Sequence, residues 1–92
     1  MAINFEWDDK KAKINLQKHD ISFEEASTAF GDVLSITIDD PLHSEDENRL
    51  ILIGKSSLSN ILIVVHIEKI KSIRIISARK ATKKEKTFYE EY

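Results

Sequence analysis

Apolar residues recur with a helical period in the first third of the chain and mostly with a strand period after that. In residues 9–18 helix formers predominate, and Ala12, Leu16 and His19 fall on one stripe at i, i+4, i+7, with Lys11, Asn15 and Lys18 beside it. Asp8 is the natural N-cap, because its carboxylate accepts hydrogen bonds from backbone N–H groups that the first turn leaves unpaired. A second helix begins at Ser22, where Ser22 and Glu25 form an S-x-x-E capping box. Phe23, Ala26 and Phe30 line one side of it and Gly31 ends it. From Val33 the period drops to two: Leu34, Ile36 and Ile38 alternate with Ser35, Thr37 and Asp39, which predicts a half-buried strand. Asp40 and Pro41 open a polar loop. Residues 49–56, 61–68 and 72–79 are β-rich and separated by short polar connections, the spacing of an antiparallel meander. Thr82 and Glu85 form a second capping box, opening a final helix whose Phe88, Tyr89 and Tyr92 should pack back on the sheet. The predicted fold is therefore α+β, a single domain over residues 1–92: two N-terminal helices, a four-stranded antiparallel sheet and a C-terminal helix.

Residues 61–65 are apolar on both faces, whereas a sheet covered on one side only should alternate. The second face needs a cover, supplied either by the last helix or by a protein partner.

Composition narrows the class. A chain of 92 residues, 41% hydrophobic and 33% charged, makes one globular domain. A domain this small buries about two thirds of its unfolded surface, so a partner or a homodimer would add to its stability. There are no cysteines, which removes disulfides, thiolate metal sites and Cys nucleophiles and suits a cytoplasmic address. The longest apolar run, residues 61–65, is far short of the roughly 20 residues that cross a bilayer. Glu6, Asp8 and Asp9 stand where a signal peptide would be basic and then apolar. The formal charge of −2 conceals an asymmetry. Residues 1–50 hold five Lys/Arg against twelve Asp/Glu, and residues 51–92 hold nine against four. One fold built from both halves should carry a basic face on which a polyanion can dock.

The candidate chemistry follows from that charge. Histidines titrate near neutral pH without help, so acid/base roles are sought first at His43, in the loop before Arg49, and at His19, which closes the first helix where the dipole favours its protonated form. A solvated loop histidine and a simple helix cap are the plainer alternatives for these two. His66, inside the most apolar strand, reads as structural. Phosphate chemistry needs fixed positive charge, and arginine's planar fork suits two phosphate oxygens at once. Arg49, Arg74 and Arg79 all fall in or beside the predicted sheet. Lys80, Lys83, Lys84 and Lys86 follow at the start of the last helix, whose N-terminus is a further place for an anion; a solvated helix face is the plainer account of the last three. No H-E-x-x-H or D-x-D spacing is present, and Glu45, Asp46 and Glu47 are consecutive, so no metal site is expected. Glycine-rich phosphate loops and a G-x-S-x-G elbow are also missing.

Several of these motifs occur together in a known order. Phe5-Glu6-Trp7-Asp8, Lys11-x3-Asn15-x2-Lys18-His19, Ser22-Phe23-Glu24-Glu25-Ala26, His43-Ser44-x2-Glu47-x-Arg49, Ile53-Gly54 and Arg74-Ile75-Ile76-Ser77-Ala78-Arg79, with Glu85 and Tyr89, span nearly the whole chain. Together they resemble the signature of BrnT-type toxins. The resemblance implies a RelE-like α+β toxin of a type II toxin–antitoxin pair: a metal-independent ribonuclease that stops translation by cutting RNA and uses no cofactor. It also implies a BrnA-type antitoxin with a ribbon-helix-helix part, through which alone operator DNA would be reached. The family's motif positions implied for the site fall on Lys18, His19, His43, Arg49, Arg79 and Lys80; His43, His19, Lys18, Arg49 and Arg79 are expected to be catalytic, and Lys80, with Arg74 and Lys83 added from the charge pattern, to bind RNA.

On that basis Arg79 and Arg49 are expected to hold the scissile phosphate, His43 or His19 to take the 2'-OH proton, and Lys18 or the other histidine to protonate the leaving oxygen. Two departures from the family pattern stand out. Asp20 occupies a position after the Lys-His pair where glycine is common. Leu58-Ser59-Asn60 replaces a turn that often carries Arg-Gly-Arg, removing two positive charges from one end of the sheet. The competing class is a binding module without catalysis, or a degenerate toxin acting only through its antitoxin in operon repression. Replacing Arg79 by lysine separates the classes, since only an enzyme needs the fork.

Overall fold

A computed structural model describes residues 3–41 and 48–92. The elements are β1 (Asn4–Glu6), α1 (Asp9–His19), α2 (Phe23–Thr28) with a 3-10 turn at Ala29–Gly31, β2 (Ile36–Asp39), β3 (Arg49–Lys55), β4 (Ile61–Glu68), β5 (Ser72–Lys80) and α3 (Lys83–Glu91). The sheet order is β1-β5-β4-β3-β2, antiparallel except where β1 runs parallel to β5. The α+β class and the meander agree with expectation. The strand count does not: the sheet has five strands and is mixed, because three residues near the start pair with residues 72–74. No helix among the described residues is long and apolar enough to cross a membrane.

Local chemistry explains the boundaries. The Asp8 carboxylate accepts from the Lys10 and Lys11 N–H groups, and these bonds, the Lys11 one foremost, hold its pKa below the usual value. At the other end of α1, Asp20 takes the left-handed conformation, φ 58° and ψ 30°, that a glycine would adopt without cost. Ser22 caps α2 by accepting from the Glu25 N–H, but the expected reciprocal box is absent. The Glu25 carboxylate instead reaches the β3–β4 turn, accepting from Ser56 Oγ at 2.7 Å and Asn60 Nδ2 at 2.8 Å. The strand predicted from Val33 begins only at Ile36, because Asp32 Oδ1 accepts from the Leu34 N–H and bends the chain there. Val33 and Leu34 are accordingly exposed, at 95% and 70%.

One face of the sheet carries α1 and α2. Leu52, Leu62, Val64, Ile75 and Ala78 alternate onto it and pack with Ile21, Phe23, Ala26 and Ala29 in a core that excludes water. Phe5 and Trp7 extend this core, Phe5 against Phe30 and Trp7 edge-on to Phe23. A Cβ at Gly54 would sit 2.8 Å from the Ala29 carbonyl oxygen, so the 3-10 turn lies over β3 because that position has no side chain. His66 is fully buried on this face, edge-on to Phe30 and hydrogen-bonded to the Val64 carbonyl and to Glu68.

Asn15 joins α1 to the sheet. Its Nδ2 donates to the Ala78 and Ile21 carbonyls and its Oδ1 accepts from the Ala78 N–H. β1 pairs with β5 only at residues 72–74, so Ala78 lies on a stretch of β5 edge with no strand beside it. The amide replaces that missing strand, and the buried backbone groups are satisfied.

Candidate functional site

The site candidates lie on the other face. Strand alternation alone would send Arg74 and Arg79, five residues apart, to opposite sides of β5. They share a side because the ladder shifts register once: Val65 opposes Ser77, yet His66 opposes Ile75, leaving Ile76 as the extra residue of a β-bulge. Arg79 then stands in a row with Ile63, Ile53 and Ile36, and Arg74 in a row with Ile67 and Arg49. Between them runs Ser77, Val65, Ile51 and Ile38. All three arginines thus occupy the face opposite α1 and α2. Arg49 and Arg74 are two strands apart, about 10 Å, while Arg79 is about 15 Å further along the strands. They share a face but not a row.

α3 covers only part of this face. Ile53, Ile63 and Ala81 are buried there, with Tyr89, Ile51 and Ile61 packed against them. Tyr89 is fastened by its hydroxyl, which donates to Asp32 Oδ2 at 2.5 Å and so has its pKa pushed up to about 12. Burial would raise the Asp32 pKa, but bonds from Tyr89 and from the Lys55 and Leu34 N–H groups hold it below its ordinary value. Phe88 and Tyr92, expected to pack on the sheet, lie against each other and remain 44% and 84% exposed. Beyond Tyr89 the cover stops, leaving a groove of about 360 Å³ lined by Ile38, Ile51, Ile53, Ile63, Arg79, Lys84, Glu85 and Phe88. The predicted need for a second cover is thus met by α3 over one end of the face. A larger hollow, about 580 Å³, lies at the β4–β5 turn, lined by Ile3, Asn4 and residues 68–73, and none of the candidate residues enters it.

Arg79 is the most constrained of the candidates. Its Nη1 donates to Glu85 Oε1 at 2.8 Å and to the Lys80 carbonyl at 3.3 Å, and its Nη2 donates to Glu85 Oε2 at 2.9 Å. Glu85 also accepts from the Thr82 N–H, completing the predicted capping box of α3. The Arg79 bonds, more than any other influence, lower the Glu85 pKa to about 2. The anion at the α3 N-terminus is therefore the chain's own carboxylate. Arg74 lies 3.4 Å from Glu6, whose pKa is lowered chiefly by the Ser72 hydroxyl and then by Lys69.

Lys18 and His19 are exposed at the C-terminal end of α1, and no hydrogen bond or ion pair joins them to the arginines among the described residues. α1 runs beside β5 in the same direction, from Asp8 near the Arg74 charge to Asn15 at Ala78. Lys18, one turn beyond Asn15, continues toward the Lys80 end. Lys80 and Lys83 are exposed, Lys80 on the helix-covered side of β5 by register and Lys83 at the start of α3. His43 lies outside the described residues. No three His, Asp or Glu side chains converge as metal ligands among those described. Two functional features had escaped the sequence: the bulge, which has no composition signal, and the Arg79–Glu85 pairing, foreshadowed only by Glu85's place in the capping box.

Arg49, Arg74 and Arg79 of this small α+β domain thus lie on one partly covered sheet face, with Arg74 and Arg79 each beside a carboxylate of the same chain. Comparison with known proteins goes further. Residues 7–85 match the family model described as "Ribonuclease toxin, BrnT, of type II toxin-antitoxin system", and the chain belongs to that family. The fold is similar to that of the Brucella abortus ribonuclease toxin BrnT, with a TM-score of 0.68 at 20% sequence identity, covering 89% of this chain and 100% of that one. No curated protein matches the chain.

Proposed function

We propose that the chain cuts RNA without a metal ion, using the RNA's own 2'-hydroxyl as nucleophile, and so inhibits translation. The observation that carries this reading is the gathering of Arg49, Arg74 and Arg79 on one largely apolar sheet face by a single β-bulge. Charge held beside low-dielectric surface attracts a phosphodiester more strongly than charge on a solvated tail. A histidine, His43 or His19, takes the 2'-OH proton. The 2'-oxygen then bonds to the adjacent phosphorus as the bond to the 5'-oxygen breaks, and Lys18 or the other histidine protonates that oxygen. The products are a 2',3'-cyclic phosphate and a 5'-hydroxyl. Arg79 takes the scissile phosphate and stabilises its developing charge, and Arg49, two rows along the same face, meets the RNA further from the scissile bond. Arg74, Lys80 and Lys83 hold the flanking backbone. DNA lacks the 2'-hydroxyl and is bound uncut.

On the same reading the partner is a BrnA-type antitoxin with a ribbon-helix-helix part, operator DNA is reached only through it, and the toxin acts in the cytoplasm. The experiment is incubation with an RNA and a DNA of matched sequence in excess chelator. The reading expects RNA ends carrying 2',3'-cyclic phosphate and intact DNA. Cleavage of the DNA, or RNA cleavage that stops in chelator, contradicts it.

A further inference from the structure

The Arg79–Glu85 pair has an asymmetry that bears on how the site works. A guanidinium has five N–H donors. Three of those on Arg79 are taken, two by the Glu85 carboxylate and one by the Lys80 carbonyl. Nε–H and the second Nη2 proton have no partner among the described residues. These two lie side by side on one edge of the guanidinium plane and form a fork matched to two phosphate oxygens. The groups holding the other edge are themselves fixed. Glu85 is bonded to the Thr82 N–H at 2.8 Å within the α3 capping box, and the Lys80 carbonyl belongs to β5. Arg79 and the Glu85 that clamps it both line the groove on the open face.

We propose that Glu85 is a positioning residue: it clamps the Nη1/Nη2 edge of Arg79 so that the Nε/Nη2 edge is presented to the RNA phosphate. This rests on the ribonuclease reading above and adds to it the group that fixes the geometry. The clamp contributes to the reacting state more than to ground-state binding, because it removes the rotational freedom that an unclamped arginine would lose in the transition state. Its negative charge also moderates Arg79's attraction for phosphate at long range, so removing it does not weaken RNA binding.

The test compares wild type, Glu85→Gln and Thr82→Ala in two measurements. In RNA cleavage, Glu85→Gln, which keeps an acceptor for the Thr82 N–H but loses the symmetric clamp, should lower kcat by about 10- to 100-fold with KM unchanged or lower. Thr82→Ala removes the hydroxyl that caps the Glu85 N–H and leaves the clamp, so it should lower thermal stability and keep kcat. In side-chain NMR, a 2'-deoxy oligonucleotide, which binds but has no nucleophile, should shift the Arg79 Nε–H resonance of wild type and leave the Glu85-bonded protons in place. Wild-type kcat in Glu85→Gln, equal kcat losses in both variants, or displacement of the Glu85-bonded protons by the oligonucleotide overturns the proposal. If the oligonucleotide shifts Nε–H as expected but RNA is not cut, the positioning role stands and the ribonuclease reading fails.

Discussion

The two faces of this sheet are built from alternate residues of the same strands and do opposite things. On the helix-covered face Leu62 and Val64 are wholly buried, Ile75 and Ala78 nearly so, and the buried polar groups there, Asn15 and His66, have their hydrogen bonds. On the other face α3 closes over Ile53 and Ile63, but the next rows, Ile51 with Val65 and Ile67 with Arg49 and Arg74, are only half-buried. Completed burial stabilises the first face, at roughly 1.5–3 kcal/mol for each fully buried large aliphatic side chain. The second gives up part of that stabilisation and keeps charge beside apolar surface. Neighbouring positions such as Val64 and Val65 should therefore answer substitution in different ways.

The largest expected effect is on the open face. Arg79→Lys keeps the charge and loses the fork, so RNA cleavage should fall about 100- to 1000-fold in single-turnover assays. A loss under tenfold would favour a binding patch over an enzyme. The next effect belongs to the covered face. Asn15→Ala leaves the Ala78 N–H and two carbonyls without partners, costing about 3 kcal/mol in urea unfolding, while the protein that remains folded keeps its activity. Sharper still is the adjacent pair. Val64→Ala should cost about 2 kcal/mol and spare RNA affinity, whereas Val65→Ala should cost less than about 1 kcal/mol and weaken RNA binding. Equal stability losses would show that the faces do not differ in this way.

Two smaller effects follow. The folded Glu85 pKa, about 2, lies below the unfolded value near 4.5, so the stability it contributes is present above pH 4.5 and is lost as pH falls toward 2. Because Arg79 is 41% exposed and screened by solvent, the contribution is about 1 kcal/mol. Acid titration of stability should show this loss in wild type and not in Glu85→Gln. Asp20→Gly relieves a left-handed residue and should raise stability by about 0.5 kcal/mol in the same urea assay.

Much of this architecture is readable from local sequence. Asp8, Ser22 and Thr82 announce their helices because a short polar side chain there answers unpaired N–H groups, and a β-rich run between polar connections delimits β4 at residues 61–68 as observed. What escapes is non-local. β1 is three residues long and pairs with a strand more than sixty positions away, so no periodicity can reveal it. Glu25 fits a capping box by spacing, yet Ser56 and Asn60 compete for its carboxylate from another part of the chain. The site divides in the same way. Arginine's chemistry singles out Arg49, Arg74 and Arg79 in advance, but period-two reasoning separates Arg74 from Arg79, and only the bulge at Ile76 reunites them.

Methyl NMR during titration with a 2'-deoxy oligonucleotide tests the division of labour between the faces most directly. The account predicts that the Ile51, Val65 and Ile67 methyls shift while those of Leu62, Val64 and Ile75 stay in place. Shifts confined to the Ile14 and Leu16 methyls of α1, with the Ile51, Val65 and Ile67 signals unmoved, would contradict it.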